Sequence, residues 1–119
     1  MKCLIADDDL RIRRLLKSVL ERPGLEFLEA QDGEEAVALY RAHGPDHVIM
    51  DVEMSPMDGI TATRAINNCD ARCKVLILSQ HDSSSFRHAA ATAGAFGYVL
   101  KDDFQAIADI LAKHLRTPG

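Results

Sequence analysis

The sequence predicts a doubly wound α/β domain, one parallel sheet with helices on both faces and right-handed crossovers. Three observations carry this reading. Strand-like and helix-like segments alternate five times along the chain. Four of the five apolar runs show no apolar/polar alternation, as expected of strands covered on both faces. The chain has 119 residues, one domain's worth with no room for a second core.

The first strand is "CLIA", Cys3–Ala6. Ile12, Leu15, Leu16, Val19 and Leu20 then recur at i, i+3, i+4, i+7 and i+8, the stripe of an amphipathic helix that Pro23-Gly24 stops. The second strand, "LEFLEA" (Leu25–Ala30), is interrupted by Glu26 and Glu29 and so belongs at a sheet edge. A helix from Glu34 to His43 follows, ended by Gly44-Pro45. "HVIM" (His47–Met50) is the third strand, and Gly59 to about Asn68 the third helix. "KVLIL" (Lys74–Leu78) precedes a helix from Ser83 to Ala93 that Gly94 closes. "FGYVL" (Phe96–Leu100) is the fifth strand, and Phe104, Ile107, Leu111 and Leu115 form the stripe of the last helix. The domain is expected over residues 1–116, and residues 117–119 of the ending "RTPG" read as the start of a linker.

Composition narrows the function. With 47% apolar and 27% charged residues the chain is an ordinary globular domain rather than a disordered one. A net charge of −4 and a pI near 5.7 argue against direct nucleic-acid binding by this chain. No apolar run approaches membrane-spanning length, and the opening "MKCLIADDD" has too short an apolar core for a signal peptide. Three cysteines, Cys3, Cys69 and Cys73, suit a reducing cytoplasm. They form no C-x2-C pair, so zinc is not expected.

In doubly wound sheets, ligands sit outside the carboxyl ends of the strands. Asp7-Asp8-Asp9 follow the first strand, Asp51 the third, Ser79 the fourth and Lys101 the fifth. After the second, "QDG" reads only as turn chemistry. Each residue has a plain structural role open to it. The acids suit a helix cap, Ser79 a helix-leading loop, Tyr98 the core and Lys101 a solvated surface. Their coincidence on one rim makes that rim a site. Adjacent strands lie ~4.8 Å apart, so the acids are placed to share one hard divalent ion, Mg²⁺ in a cytoplasm. Lys101 adds a mobile positive charge.

The acids Asp7-Asp8, "IMDVEM" around Asp51, "LS" at Ser79 and "GYVLK" ending at Lys101 together resemble the response-regulator receiver domain. The resemblance covers essentially the whole chain. It implies a flavodoxin-like (βα)5 three-layer sandwich with strand order 2-1-3-4-5. It also implies that Asp51 accepts a phosphoryl group from a histidine kinase. Asp8 would bind Mg²⁺ directly and Asp7 through water, with the Glu53 main-chain carbonyl as a further ligand. Ser79 and Lys101 would contact the phosphoryl oxygens, and the Ser79–Tyr98 pair would switch the face formed by the fourth helix, fifth strand and fifth helix. "GAFGYVLKDD" is similar to receivers of the NarL/FixJ type, which implies an effector domain, DNA-binding and transcription-regulating, beyond the C-terminus. A phosphorylation-dependent homodimer is a further implied partner. A carboxylate has no proton to lose at pH 7, so Asp51 is expected to be ionised and exposed to its donor.

The chain departs from the family at three places. Ser55 stands where the family has proline, which is shifted to Pro56, so the loop is expected to take a different path. Gln80 replaces a small residue and is expected to crowd the phosphoryl site or hydrogen-bond to it. Glu53 and His81 occupy positions that tune phosphoryl lifetime. Two other readings remain. An aspartyl-phosphate phosphatase of the haloacid dehalogenase type also uses an Asp nucleophile with Mg²⁺, but wants Asp where Glu53 stands and a longer chain with a cap. A degenerate receiver would bind a partner without phosphorylation, and the complete Asp, Ser and Lys set argues against it.

Overall fold

In the computed structural model, residues 1–115 are described. The elements are β1 (Lys2–Ala6), α1 (Leu10–Leu20), β2 (Glu26–Ala30), α2 (Gly33–His43) and β3 (His47–Asp51). They continue with α3 (Gly59–Cys69), β4 (Val75–Ser79), α4 (Ser84–Ala93), β5 (Gly97–Leu100) and α5 (Phe104–Leu115). All strand pairs are parallel, in the order β2-β1-β3-β4-β5, which is the flavodoxin-like arrangement. Every element predicted from the sequence is present, displaced by a residue or two at its ends. The linker expected at residues 117–119 lies outside the described residues.

The apolar runs lack alternation because each strand feeds two cores. Leu4, Val48, Met50, Val75 and Ile77 face a core shared with α2, α3 and α4. Their neighbours Cys3, Ile5, Ile49, Leu76 and Leu78 face one shared with α1 and α5. β1, β3 and β4 are almost wholly buried, whereas β2 at the edge is only partly so.

The α1 stripe is wider than the groove that receives it. Leu16 and Leu20 are buried, but Leu15 and Val19 stay 43% and 40% exposed. Arg13, which the spacing leaves outside the stripe, is buried instead. α4 buries only Ala90 and Ala93, with Phe86 at its surface. Of the five helices it is the one whose described buried residues include nothing larger than alanine.

Candidate functional site

The register builds the site. Ala6 pairs with Met50, so Asp7 and Asp51 emerge side by side from β1 and β3. Asp51 pairs with Leu78 and Ser79 with Leu100, which puts Ser79 and Lys101 one step further along the same rim. After Asp51 the chain loops out and returns tightly, with the Gly59 amide donating to the Val52 carbonyl at 3.0 Å. A Cβ on Gly59 would overlap the Asp51 carbonyl oxygen, so only glycine lets the chain pass this close. Ser55 and Pro56, the shifted proline, lie exposed on the outer bend of this loop.

Asp7 and Asp51 are each 1% exposed, while Asp8 is exposed. Carboxylate oxygens of Asp7, Asp8 and Asp51 lie within 4.8 Å of one another. Among the described residues this is the one group of acids, histidines or cysteines placed to hold a metal ion. Asp9 stands apart. It caps α1, accepting from the Arg11 amide at 2.9 Å. Lys101 Nζ donates to Asp51 Oδ2 at 3.1 Å and lies 3.0 Å from Asp7 Oδ2, an ion pair without hydrogen-bond alignment.

Burial raises the proton affinity of Asp51, and the negative charge of Asp7 raises it further. Lys101 opposes both, yet the carboxyl is pushed up to about 7. Asp7 is raised as well, again mainly by burial. The expectation of an exposed, fully ionised Asp51 therefore needs correction. Lys101 covers the carboxylate, and one ammonium does not balance the acids of this pocket. Full ionisation at neutral pH calls for further positive charge.

Two arrangements escaped the sequence reading. Buried Arg13 donates from Nη1 to the Asp7 carbonyl at 2.7 Å and from Nε to Glu29 Oε1 at 3.0 Å, tying α1 to β1 and the edge strand. No local pattern marks a helical arginine for burial. The second is the Glu53 side chain. Its carboxylate accepts from the Gln80 amide at 2.9 Å and from Ser79 Oγ at 3.3 Å. Ser79 is fully buried, and its Oγ also accepts from the His81 amide at 3.0 Å. The His81 carbonyl in turn accepts from Tyr98 Oη at 2.6 Å, and the Arg87 guanidinium lies 4.7 Å from the Tyr98 ring centre. The side chain of Gln80 is exposed, on a cleft of about 320 Å³ that Asp9, Ile12, Lys101, Asp102 and Phe104 also line.

The chain matches the response regulator receiver domain model over residues 3–112. It is 39% identical over 106 residues to the chemotaxis protein CheY of Bacillus subtilis, covering 88% of each chain. It is 36% identical over 104 residues to the transcriptional regulatory protein DegU of Brevibacillus brevis, covering 86% of this chain and 44% of DegU. Among solved structures, a two-component response regulator of the LuxR family from Aurantimonas sp. SI85-9A1 is 39% identical with a TM-score of 0.82, covering 94% of this chain and 85% of that one. No described helix is long and apolar enough to cross a membrane. The sheet order, the acidic pocket under Lys101 and these likenesses agree, and the chain belongs to the family of response-regulator receiver domains, signalling modules of two-component systems.

Proposed function

We propose that Asp51 is the phosphoacceptor of this receiver and that its donor is the phosphohistidine of a cytoplasmic histidine kinase. The observation that carries the assignment is a buried carboxylate at a strand end, flanked by Asp7 and covered by Lys101. An Asp51 oxygen forms the new P–O bond while the P–N bond of phosphohistidine breaks. The imidazole leaves with the electron pair and takes a proton. Lys101 and Ser79 take up charge on the equatorial oxygens, which is where catalysis of this loose transfer lies. The chain assists only its own phosphorylation and dephosphorylation.

Asp7, Asp8 and Asp51 form an all-oxygen donor set that suits Mg²⁺, and the Glu53 main-chain carbonyl is proposed as a further ligand. The excess of buried negative charge fits a divalent ion as well. When bound, Mg²⁺ supplies the positive charge that keeps Asp51 ionised beside an anionic donor. The output is proposed to leave through α4, β5 and α5. DegU, named as a transcriptional regulator, is more than twice as long as the match, whereas the match spans most of CheY. We propose an effector domain beyond this chain, with phosphorylation-dependent dimerisation as the route to it.

Intact mass after incubation with acetyl phosphate and Mg²⁺ tests the assignment. The protein should gain one phosphoryl group and its Asp51→Asn variant none. Equal gain in both would move the acceptor elsewhere.

A further inference from the structure

The Ser79 hydroxyl has a single proton, and so has the Gln80 main-chain amide. Both are committed to the same carboxylate. The Gln80 amide gives its proton to Glu53 Oε1. Ser79 Oγ receives the His81 amide proton, which directs its own proton to Glu53 Oε2. Glu53 thus presents an anion to two donors at the end of β4, one of which is the hydroxyl assigned above to the phosphoryl oxygens. A phosphoryl group on Asp51 and the Glu53 carboxylate cannot hold the Ser79 proton together.

We propose that Glu53 is a positioning residue, an internal counter-ligand that keeps Ser79 and Gln80 occupied in the unphosphorylated protein and is displaced when Asp51 is phosphorylated. The inference rests on Asp51 being the acceptor. Two physical effects drive the exchange. A phosphoryl group brings ≈ −1.5 to −2 charges at pH 7 and strong acceptor oxygens, a better partner for the hydroxyl than a carboxylate. The same charge repels the Glu53 carboxylate, whose negative charge already acts on Asp51.

The displacement has a direct route outward. Glu53 accepts from Ser79, Ser79 from the His81 amide, and the His81 carbonyl from Tyr98 Oη. Turning Ser79 away from Glu53 breaks the bond to the His81 amide. It thereby loosens His81, the residue whose carbonyl accepts from Tyr98 Oη. The chain of three bonds joins the acceptor loop to β5 without passing through a helix.

The test compares wild type, Glu53→Gln and Glu53→Ala, each incubated with acetyl phosphate and Mg²⁺. In this reaction an Asp51 oxygen bonds to phosphorus while the acetyl-side P–O bond breaks and acetate leaves with the electron pair. Glu53→Ala should react about tenfold faster, the factor that ~1.4 kcal/mol of lost interaction gives at 25 °C. Glu53→Gln keeps an acceptor oxygen without the charge, so its rate should fall between the two. Before any phosphorylation, the Gln80, His81 and Tyr98 amide resonances of Glu53→Ala should shift toward their positions in phosphorylated wild type. Rates at or below wild type in both variants overturn the proposal. So do equal accelerations in both with those resonances unmoved, since relief of charge repulsion alone would produce that. If wild type itself gains no phosphoryl group, it is the assignment of Asp51 that has failed.

Discussion

Lys101 lies across Asp51, its Nζ 3.1 Å from one carboxylate oxygen of Asp51 and 3.0 Å from Asp7, with only 12% of its side chain exposed. The ammonium is the cover of the site and its main resident counter-charge. Removing it by Lys101→Met leaves two buried acids without a cation. We expect a loss of ~3–5 kcal/mol at pH 7 in chelator, the usual cost of breaking a buried pair from one side. The loss should shrink at pH 4, where Asp51, pushed up to about 7, is protonated, and on adding Mg²⁺. Urea unfolding followed by circular dichroism measures it. An equal loss at both pH values would trace the effect to packing instead.

Asp51→Asn should stabilise the metal-free protein at neutral pH. The folded-state affinity of Asp51 for its proton is raised to about 7, above its unfolded value. The stability this group contributes is therefore full below about pH 4 and is lost as pH rises through about 7. Asparagine, neutral throughout, escapes that loss. The variant should gain on the order of 1–3 kcal/mol at pH 7.5 in chelator and nothing at pH 4. A gain independent of pH would mean that the carboxyl is ionised across the range.

The acidic run divides by role. Asp8→Asn should weaken Mg²⁺ binding by tenfold or more and slow phosphorylation, because it removes a hard anionic ligand. Asp9→Asn should leave metal affinity within about twofold, since asparagine caps a helix as well as aspartate does. Calorimetric titration with Mg²⁺ separates the two. Equal losses would place Asp9 in the metal site.

Ser79→Ala should accept phosphate yet transmit less. α4 is anchored by two alanines, and weakly anchored elements are the ones that move. Phosphorylation of wild type should lower amide protection across Ser84–Ala93 and around Tyr98. The change should be at most half as large in Ser79→Ala. Moving a two-state balance from 1:99 to 99:1 takes ~5.5 kcal/mol, and one charge-assisted hydrogen bond gives ~1.5–3, so Ser79 carries part of the shift and Lys101 the rest. Protection changes confined to α1 and α2 would place the responsive face elsewhere.

The fold was legible because strands that feed two cores are apolar at every position, and Val48, Ile49 and Met50 show it within three residues. Asp7, Asp8, Asp51, Ser79 and Lys101 were legible as a rim because a parallel sheet delivers every strand end to one side. Burial of Asp51 was not, since its cover arrives from the far end of the chain. Nor was the Glu53 bond to Gln80, which joins two loops 27 residues apart, or the Arg13 tie to the Asp7 carbonyl. The wide α1 stripe misled in the other direction. Periodicity finds the apolar edge of a helix but not the width of the groove that receives it, so Leu15 and Val19 were expected inside.

The close passage at Gly59 gives the pocket one stiff wall. On that side the returning loop is pressed against the Asp51 main chain, and on the β1 side Arg13 pins the carbonyl of Asp7. Neither wall can yield without breaking backbone contacts. The opposite side is closed by side-chain hydrogen bonds and by a helix that buries little more than methyl groups. A phosphoryl group on Asp51, as proposed, would push against unequal resistance, and the protein is expected to deform toward β4 and α4. On that expectation, direction is set by compliance before any partner is present. An alanine at residue 59 would shift the acceptor's own backbone and spend that push inside the pocket.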